Sequence, residues 1–125
     1  MTRAFEVTDR GFALEAVAVG MGDDLLIAVT GGEKPHIGSA SVSVPRPSLS
    51  NPSMTSSTTS TINLTGHKDN IVGDRISAFL SAALKTNVVV ACGIHIDNLR
   101  PEEIGHIVTL SEKLAEKIVE GMKQR

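Results

Sequence analysis

The sequence predicts an α+β fold: an antiparallel sheet from several N-terminal strands plus one strand between two C-terminal helices. Three observations predict it. The first half is a succession of short apolar or alternating runs broken by turn residues. Residues 70–86 and 101–125 carry apolar side chains at three- and four-residue spacing. Between them lies the most apolar run of the chain, "TNVVVACGIHI". At 125 residues and 13.2 kDa the chain is the size of one domain, expected to span 1–125.

A short initial strand is predicted at residues 4–7. "FALEAVAVG", "DLLIAVTGG" and "IGSASVSV" follow, punctuated by Asp9-Arg10-Gly11, by Met21-Gly22-Asp23 and by residues 31–35, so consecutive antiparallel strands are the economical assignment. In "PRPSLSNPSMTSSTTSTINL", Pro45, Pro47 and Pro52 argue against a central strand, and residues 57–64 are Thr-rich enough to return as one. In the first helix Ile71, Val72, Ile76, Phe79, Leu80, Ala83 and Leu84 form the apolar stripe. The second helix has Pro101 in its first turn and Glu102 and Glu103 near the positive end of its dipole. Its stripe is Ile104, Ile107, Val108, Leu114, Ile118 and Met122. Helices of this kind should pack on one face of the sheet.

The strand between the helices poses the functional question. Alternation sends Val88, Val90, Cys92, Ile94 and Ile96 to one face and Val89, Ala91, Gly93, His95 and Asp97 to the other. The second face shrinks before it turns polar. Two readings fit: a strand emerging into solvent, or a ligand pocket whose small floor leaves room before an imidazole and a carboxylate.

Composition narrows the classes. A formal net charge of -2 and the absence of Trp and Tyr remove the electrostatic and stacking reasons to expect nucleic acid. The first ten residues have no apolar signal core, and no run approaches the roughly 20 residues needed to span a bilayer. A soluble cytoplasmic protein is expected. The single Cys92, set in an apolar run, reads as a buried thiol with no assigned chemistry.

His36, His67 and His95 stand at strand or helix margins with polar neighbours, whereas His106 falls on the polar side of the second helix. If the first three converge, with or without Asp97, they suit a divalent transition metal. Binding of an organic ligand and plain turn or capping roles are the other readings. The Ser/Thr tract reads either as a surface loop or as a hydroxyl clamp that surrounds a phosphate with Arg46, Lys68 and a helix N-terminus near residues 68–70. No dinucleotide, Walker or nucleophile-elbow motif occurs.

Taken together and in this order, "GGEKPHIG", "PRPSLSNPSMTSSTTS", "TGHKDN" and "GIHIDNLRPEEI" resemble the prenylated-flavin chaperone family, the LpdD-like small D subunits of hydroxyarylic acid decarboxylases. The resemblance runs from about residue 25 to residue 104; the first strands and the last helix match in general character only. It implies a fold similar to proteasome-assembly chaperones, often dimeric. It implies a non-enzymatic carrier of reduced prenylated FMN that assists a UbiD-type decarboxylase alongside a UbiX-type flavin prenyltransferase, with a homodimer expected. The motif matches place His36, Arg46, His67, Lys68, Asp69, His95 and Asp97 in the candidate site. Arg46, Lys68 and the Ser/Thr tract would take the phosphate. His36, His67 and His95 would contact the ring system or a bridging divalent metal, with aliphatic side chains replacing the missing aromatics. The alternatives are a small metal-dependent enzyme using His36, His67 and His95, and a structural accessory subunit.

Overall fold

The computed structural model describes residues 1–64 and 69–123, the side chains of Asp69 and Asn70 excepted. Its elements follow the order β1 (Thr2–Asp9), β2 (Phe12–Met21), β3 (Asp24–Gly32), β4 (Ser39–Pro47), β5 (Thr55–Asn63), α1 (Asp69–Leu84), β6 (Val88–His95), a 3-10 turn (Pro101–Glu103) and α2 (Ile104–Lys123). The six strands form one sheet in the order β1-β2-β3-β6-β4-β5. All pairings are antiparallel except β3 with β6, so the predicted α+β class holds with one parallel neighbour.

Local chemistry sets the hairpins. Arg10 and Gly11, at φ 51 and 82, make a two-residue turn between Asp9 and Phe12, and Gly22 at φ 63 opens the next, between Met21 and Asp24. The first strand is longer than residues 4–7, because unbroken pairing with residues 12–19 of β2 extends it. β4 runs through Pro45 and Pro47, which the sequence set against a central strand. β6 pairs with residues 39–43 of β4, and among the described residues no ladder continues on that side beyond Ser43 to receive an N–H, so proline is tolerated there.

Both helices lie on one face. Leu14, Ile27, Val29, Val88, Val90 and Cys92 from the strands meet Val72, Ile76 and Leu80 of α1 and Leu110, Leu114 and Ile118 of α2, and all are essentially excluded from water. Cys92 is buried as expected. The stripe of α1 departs from prediction: Ile71, Phe79 and Ala83 face outward. Their place against the sheet is taken by Gly73, Ser77 and Ser81, all buried. A Cβ at Gly73 would come within 3.2 Å of Cys92 and Ser39, so glycine there lets the helix seat closely.

A hydroxyl seam accompanies that close approach. Asp74 accepts hydrogen bonds from Ser41 (2.6 Å) and from Thr61, Ser43 pairs with Ser77 (2.9 Å) and Thr59 (2.7 Å), and Ser57 donates to the Ala78 carbonyl (2.9 Å). The Ser/Thr tract is therefore strand β5 over residues 55–63, its inward hydroxyls holding α1.

Among the described residues, no helix covers the other face of the sheet. Two cross-strand rows traverse it: Ala4, Val17, Ala28, Ala91, Ala40 and Ile62, then Thr2, Val19, Leu26, Val89, Val42 and Ser60. Val17 is 41%, Val42 43% and Ile62 67% exposed, so a continuous apolar surface faces solvent.

Candidate functional site

The sheet order forces a crossing. β3 ends on one side of β6 and β4 begins on the other, so residues 33–38 must pass over β6. They do so at Gly93, whose missing side chain would point to the open face: a Cβ there would overlap the carbonyl of His36 and approach its ring. Glycine at 93 is thus a steric necessity of the topology. The crossing is pinned by three backbone bonds, Glu33 N–H to the His95 carbonyl, Gly38 N–H to the Cys92 carbonyl and Leu64 N–H to the Gly38 carbonyl, each 2.8 Å.

This brings His36 to the same strand end as His95 and Asp97. His95 Nε2 lies 2.8 Å from Asp97 Oδ1, with the two side chains 40% and 58% exposed. In the neutral ring, that contact places the proton on Nε2 and leaves Nδ1 an acceptor. The Asp97 backbone N–H donates to Glu33 Oε2 at 3.0 Å, so Glu33 clamps both strand ends with its main chain and carboxylate. The Nδ1 of His36 lies 2.9 Å from the Lys34 carbonyl, which orients the ring back onto its own loop. Beside these groups the open face continues as the bare floor of Ala28, Ala91 and Ala40.

The remaining candidates fall differently. His67 and Lys68 lie outside the described residues, and Asp69 opens α1 with its side chain undescribed. The trio His36, His67 and His95 therefore extends beyond them; among the described residues, no three His, Cys, Asp or Glu side chains are gathered to hold a metal ion. Arg46 stands apart. Ser39 pairs with Cys92 and Ser43 with Val88, so Arg46 sits toward the opposite end of the sheet, roughly 30 Å from His95 at about 3.3 Å per residue. Its guanidinium donates to Thr58 Oγ1 (2.7 Å) and to the Pro47 carbonyl (3.1 Å). Of the hydroxyls in the Ser/Thr tract, those of Ser57, Thr59 and Thr61 are engaged with α1 and β4, while Lys68, the clamp's other cation, lies outside the described residues.

Sequence reasoning missed Glu33 and the floor alanines Ala28 and Ala40. Glu33 lies inside "GGEKPHIG" and was legible there as an acid beside a histidine. The alanines became significant only when register set them next to Ala91.

The six-stranded sheet with two helices on one face has a counterpart among solved structures: a chain of a chaperone complex for yeast 20S proteasome assembly is similar to it over 94% of this chain and 98% of that one, at a TM-score of 0.50 and 15% identity. That likeness concerns the fold. The chain belongs to the family of prenylated flavin chaperone LpdD-like domains, whose model matches residues 8–123. Protein LpdD of Lactiplantibacillus plantarum is 26% identical over 125 residues, covering 95% of this chain and 84% of that protein. The resemblance carried by the four motifs is thereby confirmed as membership. Among the described residues no helix is long and apolar enough to cross a membrane.

Proposed function

We propose that this chaperone-family protein is a non-enzymatic carrier that binds reduced prenylated FMN on its open sheet face and passes it to a UbiD-type aromatic acid decarboxylase, alongside a UbiX-type flavin prenyltransferase. The observation that carries the reading is the strand end where His36 rests on Gly93 beside His95 and Asp97, next to the alanine floor. A flat floor without protruding side chains accepts a planar polycyclic ring by dispersion and by exclusion of water. His95, oriented by Asp97, offers a hydrogen-bonding edge to the ring's polar rim. Family membership supports the choice of a prenylated flavin over other planar ligands. The phosphate falls to groups near this end; within one copy Arg46 is too distant to share it. The protein works as a homodimer, and the exposed apolar face, open to its surroundings, suits transient contact with a client enzyme.

The test is calorimetric titration of the anaerobically purified protein with reduced prenylated FMN, with plain FMN and a His95→Ala variant in parallel. Saturable binding that prefers the prenylated form and weakens in the variant is the expected result. Absence of binding to the wild-type protein overturns the carrier reading.

A further inference from the structure

The two edges of the sheet are built differently. β1 carries Arg3, Glu6 and Asp9, and α2 reaches down to it: Lys117 Nζ donates to the Glu6 carbonyl at 2.9 Å, and Arg3 meets the Gly121 carbonyl. Charges and a lysine on a backbone acceptor are the devices by which an edge strand is kept from pairing with another chain. β5 has none of them. Its nine residues, TSSTTSTIN, include no charged residue and no proline, and they pair with β4 in unbroken register from Thr55 to Asn63 without a bulge. The hydroxyls of Ser57, Thr59 and Thr61 fasten the strand to its surroundings, so its outer row of amide and carbonyl groups is held straight. Among the described residues no strand pairs with that outer row.

We propose that β5 is the surface through which two copies of this chain associate, pairing antiparallel about Thr59 to join their sheets into one. A two-fold interface must be self-complementary, and this strand is. Centred on Thr59, Thr58 faces Ser60 of the second copy and Ser57 faces Thr61, so hydroxyl residues oppose hydroxyl residues and no like charges meet. Such a joint leaves both helical layers on one side and both open faces on the other, free for ligand and client. The inference deepens the homodimer reading given above.

The test uses the full chain: molecular mass by light scattering and analytical ultracentrifugation for wild type, for Thr58→Lys/Ser60→Lys and for Thr58→Glu/Ser60→Glu. Both positions are exposed and face away from α1, so the variants should fold, which circular dichroism checks. The wild type is expected to be a dimer, and each variant alone should raise its dissociation constant by roughly a hundredfold, because like charges are set directly opposite one another. Mixing the two should restore a mixed dimer. A wild-type monomer overturns the proposal, and so does a dimer unaffected by either variant; disruption by Val42→Lys instead would assign the second copy to the open face. Flavin titration of the wild-type chain separates the two readings, since binding by a wild-type monomer would leave the carrier standing and remove the interface.

Discussion

The carbonyl of His36 lies directly against the Cα of Gly93, where a side chain would otherwise point to the open face. One contact therefore ties the loop that crosses the sheet to the strand it crosses, and with it the position of His36 relative to His95. Gly93→Ala forces either β6 or the crossing loop to shift. We expect a loss of about 1–3 kcal/mol in urea unfolding, typical of overpacking, together with weaker ligand binding. A variant with wild-type stability would show that the crossing has room to move.

His95 and Asp97 are expected to act as a unit in flavin binding. His95→Ala should weaken affinity by roughly tenfold, the loss of one net hydrogen bond. Asp97→Asn keeps an oxygen that accepts from His95 Nε2–H, so it should cost less than Asp97→Ala. Calorimetry on the three variants checks the order; equal effects of Asn and Ala would mean that the negative charge, and not ring orientation, is what matters.

Asp74 is the acceptor on which Ser41 of β4 and Thr61 of β5 converge beneath α1. Asp74→Ala strands two hydroxyls in a half-buried seam, at a cost of about 1–3 kcal/mol. Equilibrium unfolding with Ser41→Ala, Thr61→Ala and the combined variants apportions it: if the seam is shared, the effects will be smaller together than their sum.

One source of acid sensitivity should lie at the far end of the sheet. Asp24 accepts from the Thr86 hydroxyl (2.9 Å) and from the backbone of Asn87 (3.2 Å), and these bonds, the Thr86 one foremost, hold its carboxyl below the ordinary value of 3.8 against the opposing effect of desolvation. A group lowered by folding stabilises the native state fully above its unfolded value and loses that contribution as pH falls through its folded value. The urea midpoint should therefore decline below about pH 4 in wild type, with a shallower decline in Asp24→Asn. Parallel declines would show that other carboxylates set the acid limit.

Much of the fold was legible because its local signals agree. Arg10-Gly11 and Gly22 mark hairpins, the alternation of residues 88–96 assigns both faces of β6, and the three-four spacing of Ile107, Leu114, Ile118 and Met122 finds the core side of α2. In α1, Phe79 and Ile71 depart from the expected stripe because hydrophobicity alone does not decide burial there. In this protein the serines of β4 make small and hydroxylated residues the better partners for the sheet.

Of the candidate site, the sequence by itself determined its types of residue: a small, then polar face on β6 ending in His95 and Asp97, and a Gly-Pro-rich segment bearing His36. Only the tertiary structure decided that His36 joins that strand end, that Glu33 clamps it, and that Arg46 lies at the far end. The reason is physical. Alternation along a strand is a local property of the backbone, readable one residue at a time, whereas the insertion of β6 between β3 and β4 is a choice among strand pairings distant in sequence. That choice alone makes the loop cross at Gly93.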